Sequence, residues 1–142
     1  MSRVLVDANV LLDVLTGDAI WCDWSARQLD ACAARGELCI DAIIYAEVSI
    51  GFARIEELDA ALSPSDFVRL ELPWEAAFLA GKAFLKYRRA KGTRTAPLPD
   101  FFIGAHAAIE GMPLLTRDAR RYRTYFPDLA LICPDDEPAA NA

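Results

Sequence analysis

Short apolar runs alternate with helix-patterned segments along nearly the whole chain, and most of the runs stop at an acid, a proline or a polar turn. Residues 3–6 run straight into Asp7, residues 38–40 into Asp41, and residues 67–72 end at Pro73. Residues 114–116 lead to Asp118, and residues 129–133 form a last run. Between them, apolar periodicity predicts helices over 9–15, 18–34 (capped by Asp18, stopped by Gly36), 43–52 (capped by Asp41), 55–62, 74–92, 100–110 and 119–126. Strands this short and apolar are buried on both faces, which requires a parallel sheet covered by helices. The fold expected is therefore α/β, with about five parallel strands in a three-layer sandwich. Residues 1–134 are expected to form one domain, with 135–142 as a polar, proline-broken tail that frays. In such sheets ligands bind beyond the carboxyl ends of the strands.

That rule directs attention to the acids. Asp7 follows the first strand and suits either a helix N-cap or a catalytic role. Asn9 has the same ambiguity, and Asp13 reads as a polar position on a short helix. Asp41 is explained by capping. Glu47 has Ile43, Ile44, Ile50 and Gly51 as its helical neighbours, so its carboxylate is centred on an apolar face. A carboxylate there needs a cation, in a buried salt bridge or as a metal ion, or a raised pKa. Asp100 occupies the first turn of an apolar helix, where the helix dipole favours an acid. Asp118, two residues beyond Thr116, either shares its side of the strand or caps the next helix. Taken together, Asp7, Glu47, Asp100 and Asp118 form a set that would repel itself without divalent cations, and hard oxygen ligands suit Mg²⁺ or Mn²⁺. Asn9 and Thr116 could orient such ligands through hydrogen bonds.

Other chemistries find less support. Four cysteines, Cys22, Cys32, Cys39 and Cys133, make no C-x-x-C pair and share one histidine, so a zinc site is not expected. His106 lies roughly 240° around its helix from Asp100 and reads as a core or supporting residue. No phosphate-binding glycine loop or G-x-S-x-G elbow occurs. A receiver-like domain would need adjacent acids after the first strand and a late lysine, and Ala8 follows Asp7. No apolar run reaches the ~18 residues that span a bilayer, and Asp7 comes too early for a signal peptide, so no membrane partner and a cytoplasmic location are expected.

Net charge is −6, but it is uneven: 14 acids stand against 5 bases up to position 75, and 7 against 10 after it. From Gly81 to Pro99 there is no acid, against Lys82, Lys86, Arg88, Arg89, Lys91 and Arg94. In the helix over 74–92, Trp74, Ala77, Phe78, Gly81, Phe84 and Leu85 mark the expected buried face, with Lys82, Lys86 and Arg89 opposite. Arg117, Arg120, Arg121 and Arg123 form a second basic group. On charge alone both are solvated faces; beside an acidic site they become candidate contacts to a phosphate backbone.

The segments Val6-Asp7-Ala8-Asn9-Val10-Leu11-Leu12-Asp13, Tyr45-Ala46-Glu47-Val48, Pro99-Asp100-Phe101-Phe102-Ile103-Gly104-Ala105-His106-Ala107 and Leu115-Thr116-Arg117-Asp118 resemble the PIN-domain family in order and spacing. The size resembles the VapC-type toxins of toxin–antitoxin pairs. The resemblance implies a Mg²⁺- or Mn²⁺-dependent endoribonuclease, with Asp7, Glu47, Asp100 and Asp118 at the family's acidic positions and Asn9 and Thr116 in support. It also implies an RNA substrate, a VapB-like antitoxin as partner, and a homodimer. A catalytically silent scaffold that binds RNA or protein, and a PIN nuclease in RNA processing, are the alternatives.

Overall fold

In the computed structural model, which describes residues 2–90, 92–93 and 98–134, five strands form one all-parallel sheet. They are β1 (Ser2–Val6), β2 (Gly36–Ile40), β3 (Phe67–Arg69), β4 (Leu114–Leu115) and β5 (Leu131–Ile132), in the order β3-β2-β1-β4-β5. Seven helices flank the sheet among the described residues: α1 (Ala8–Thr16), α2 (Cys22–Arg35), α3 (Ala42–Ser49), α4 (Ile55–Ala61), α5 (Trp74–Arg89), α6 (Pro99–Glu110) and α7 (Arg120–Tyr125). The α/β architecture is the one expected. The expectations placed on Lys91, Arg94 and the tail at 135–142 lie outside the described residues.

From β1 the chain builds outward through β2 and β3, then returns to pair β4 against the free edge of β1. The order reverses between β1 and β4, and the crevice beyond their carboxyl ends is where such sheets bind ligands. Leu5, Val6, Cys39, Ile40, Leu114 and Leu115 are buried, as strands covered on both faces must be. β2 starts two residues earlier than expected. Gly36 pairs with Ser2, and a Cβ there would collide with the Ser2 carbonyl, so the glycine that stops α2 also admits the first strand pair. β3 ends at Arg69 rather than residue 72, as a short edge strand. α3 ends at Ser49 and α5 at Arg89, short of the expected ends at 52 and 92.

Three local expectations need correction. α5 does not bury its aromatic stripe: Trp74 is 88% and Phe78 69% exposed, and Leu85 is exposed too. Its buried side is Ala76, Ala80 and Ala83, which lets α5 lie close along α6, with Phe84 and Tyr87 reaching Phe101 edge-on. Asp18 does not cap α2. Its carboxylate accepts from the N–H groups of Ile20 and Trp21, closing a turn before the helix begins at Cys22. Asp13 is not a solvated helix position either. It is buried, accepts 2.8 Å bonds from Ser25 Oγ and Arg117 Nε, and joins α1 to α2 and to the turn after β4. Arg117 also lies 5.7 Å over the Trp21 ring. Asp13→Asn removes the carboxylate from this pair and is expected to cost about 1.5–3 kcal/mol. Urea denaturation measures it; a loss below about 0.5 kcal/mol would return Asp13 to the surface role.

Among the described residues, no helix is long and apolar enough to cross a membrane.

Candidate active site

The fold brings three of the four acids to the carboxyl ends of β1 and β4 and sets the fourth at the rim. Asp7 is the first residue after β1 and, at the same time, the N-cap of α1: its Oδ1 accepts the Ala8 N–H at 2.8 Å. Of the two readings of that residue, the N-cap is the one the geometry shows. Its Oδ2 accepts from Thr116 Oγ1 at 2.9 Å, from Tyr122 Oη at 2.8 Å and from Asn9 Nδ2 at 3.4 Å. Asn9 also donates to Thr116 Oγ1 at 3.1 Å and accepts the Arg117 N–H at 3.2 Å. The turn after β4 is thereby tied to the start of α1 by the hydrogen bonds of Asn9 and Thr116.

Glu47 lies on α3; of the neighbours named for it Ile44 is buried and Ile43 half-buried, whereas Ile50, past the end of the helix, is 87% exposed. Ile44 and Val48 bury α3, and Glu47 is half-buried beside them. Its Oε1 is buried without a hydrogen-bond partner. Among the described residues no ion pair reaches Glu47. Asp100 sits in the first turn of α6, accepting weakly from Tyr122 Oη at 3.3 Å and Arg121 Nη1 at 3.4 Å. Asp118 is exposed. Its N–H donates to Thr116 Oγ1 in a turn, so strand geometry does not persist, and its side chain pairs at 3.5 Å with Arg120 instead of capping α7.

These carboxyls feel one another. Burial raises the Asp7 pKa from the usual 3.8 to about 6, with the Asp100 charge adding to the rise and the Tyr122 bond opposing it. Burial also raises Glu47, from 4.5 to about 7, reinforced by the charges of Asp7, Asp100 and Asp41. Asp100 is raised by burial and lowered by Arg121. Among the described residues, however, no three acids gather closely enough to make a finished ligand set for a metal ion. The orphaned Glu47 oxygen and the all-oxygen donor set nonetheless fit a divalent cation.

A cleft of about 470 Å³ opens beside Asp100 and Asp118, lined also by Tyr87, Arg120, Arg121, Thr124 and Tyr125. Arg121 lies 5.9 Å from both the Tyr87 and Phe101 rings. Of the candidate basic contacts, Arg120 and Arg121 are in this cleft. Arg117 is not, being held by Asp13. Lys82 sits over Phe78 at 5.0 Å in a separate groove on α5, and Lys86 and Arg89 are exposed near the end of that helix.

Tyr122 escaped the sequence reading, and Asp41 does more than was read from it. Asp41 caps α3 through Ile44 N–H, as expected, but its other oxygen also meets His106 Nδ1 at 2.7 Å, both side chains fully buried. Tyr122 reaches two site acids, Asp7 and Asp100, from α7, and partners 115 and 22 residues away leave no local pattern to mark it.

Residues 4–127 match the family model described as PIN domain. No curated protein matches the chain. Among solved structures, VapBC2 from Rickettsia felis bound to a DNA fragment from their promoter is similar at TM-score 0.72 and 18% identity, covering 94% of this chain and 99% of that one. DNA-bound VapBC from Salmonella typhimurium gives 0.68 at 20% identity, covering 94% and 98%. VapBC-1 from nontypeable Haemophilus influenzae gives 0.69 at 16%, covering 92% and 97%. Likeness at this identity carries the fold.

Proposed function

Since the chain belongs to the PIN domain family, we propose that it is a VapC-type toxin, an endoribonuclease that hydrolyses RNA phosphodiester bonds at the acidic cleft. The observation that carries this reading is the Glu47 carboxylate, one oxygen buried and unpartnered in the field of Asp7 and Asp100. Asp7, Glu47 and Asp100 would hold Mg²⁺ or Mn²⁺, with Asp118 assisting from the rim. When bound, such an ion supplies positive charge for the phosphate and makes water at the site more acidic. The chain's own residues do the rest. Thr116 and Asn9 fix the Asp7 carboxylate, and Arg120 and Arg121 offer the RNA backbone two guanidinium groups beside the acids. Lys86 and Arg89 would extend that basic surface along α5, and Lys82 further out.

The similar structures are VapBC complexes, which supports a VapB-like antitoxin as partner. A homodimer and a cytoplasmic location belong to the same reading. Cleavage of single-stranded RNA by the purified chain is expected with Mg²⁺ or Mn²⁺, is lost in EDTA, and returns with excess Mn²⁺. Undiminished cleavage in excess EDTA sinks the metal site. Absence of cleavage under every condition sinks the nuclease.

A further inference from the structure

α7 inserts a phenol between two of the acids. Tyr122 is 1% exposed, and its Oη lies 2.8 Å from Asp7 Oδ2 and 3.3 Å from Asp100 Oδ1. The ring has little room to move: a Cβ on Gly104 of α6 would come within 3.0 Å of Tyr122 Cδ1, so the glycine is what lets α7 settle against α6 at this depth. A phenol carries one proton, which Tyr122 gives chiefly to Asp7 at 2.8 Å and shares weakly with Asp100 at 3.3 Å in a forked bond. Asp7 Oδ2 is then loaded from three sides, by Tyr122, Thr116 and Asn9, whereas among the described residues Oδ1 accepts only the Ala8 N–H. A carboxylate oxygen accepts two strong hydrogen bonds, so Oδ2 is full and Oδ1 keeps a free lone pair.

We infer that Tyr122 is a positioning residue of the metal site, its hydroxyl holding Asp7 and Asp100 near each other in the metal-free protein and leaving Asp7 Oδ1 as the oxygen for the cation. The inference rests on the metal reading above and deepens it. Without the hydroxyl, two partly buried carboxylates have one donor fewer against their repulsion and separate, so a cation must first bring them back. Outer partners of metal ligands act in this way, and their loss weakens metal binding about 10–100-fold.

The test is Mn²⁺ binding to the full chain without RNA, followed by electron paramagnetic resonance, for wild type and Tyr122→Phe. Tyr122→Phe keeps the ring that packs against Gly104, and its melting curve reports whether it folds. The expected result is a folded variant whose Mn²⁺ Kd is about 10–100-fold weaker. A merely structural tyrosine would lower the melting temperature and leave the Kd of the folded protein unmoved. An equal or tighter Kd overturns the inference while wild-type binding preserves the metal site; a wild type that binds no Mn²⁺ overturns both. A second measurement needs no folded variant. In wild type labelled with ¹³C-tyrosine, Mg²⁺ is expected to move the Cζ resonance of Tyr122 and leave that of Tyr45, which is bonded to Asp59. A Tyr122 signal indifferent to Mg²⁺ overturns the inference.

Discussion

Asp100→Asn and Asp7→Asn are each expected to cleave single-stranded RNA at least about 100-fold more slowly than wild type at saturating Mn²⁺, since even outer partners of metal ligands reach that scale. Single-turnover assays on protein checked for folding measure the loss. Asp100→Asn is the cleaner variant. Asp100 lines the cleft, half-buried, with two weak hydrogen bonds, so an amide of the same shape costs little stability. As a mere dipole-stabilising acid, Asp100 would lose up to about 1 kcal/mol of stability on this change and keep its activity. Asp7→Asn is less innocent, because Asp7 accepts four hydrogen bonds and caps α1. A folded Asp100→Asn protein with wild-type rates would remove Asp100 from the site.

The second large effect is on stability. Asp7 and Glu47 both have folded-state pKa values above their usual ones, at about 6 and about 7. The folded protein therefore binds protons more tightly than the unfolded chain, and stability falls as pH rises from about 4 through 6–7. For the buried Asp7, the rise from 3.8 to about 6 corresponds to about 3 kcal/mol lost over that window. Glu47 adds a smaller, solvent-screened share. Glu47→Gln is expected to raise the melting temperature of the metal-free protein at pH 7.5 and to flatten its pH dependence, because a neutral amide is easier to bury than an unpartnered carboxylate. Mn²⁺ at about 100 times its Kd adds about 2.7 kcal/mol to wild type, about 8–11 °C in melting temperature for a chain of this size. The same Mn²⁺ should move Glu47→Gln far less. Differential scanning calorimetry across pH, with and without Mn²⁺, measures all of this. A metal-free wild type that gains stability from pH 4 to 7, or a Gln variant that melts lower, would mean that Glu47 is paired with a cation after all.

Much of the site was legible because strand ends are legible. Asp7 follows an apolar run of period-free β-branched and leucine residues, and Thr116 another; in a parallel sheet such positions converge whatever the loops do. The Asp41 cap was legible for a local reason, since an extended residue just before a helix offers its carboxylate to N–H groups two or three positions on. The face of α5 was not. Helical periodicity weighs large apolar side chains most, yet the helix buries its alanines, because close approach to α6 is worth more there than burying Trp74 and Phe78. Asp13 and Arg117 were misassigned for a related cause: a charge 104 residues away has no signature in a local window.

The sequence by itself determined the alternation of strand and helix, the parallel sheet, and the residues that close each strand, because local backbone preference and the side-chain period of each segment are carried within about a dozen residues. Tertiary structure alone decided which charges are partners and which are left without one. It gave Arg117 to Asp13, His106 to Asp41 and the Tyr122 hydroxyl to Asp7, and it left Glu47 Oε1 buried with nothing to bind. The physical reason is that electrostatic and hydrogen-bond energies depend on distance through space and on exclusion of water, and both are set only when β4 returns to the free edge of β1.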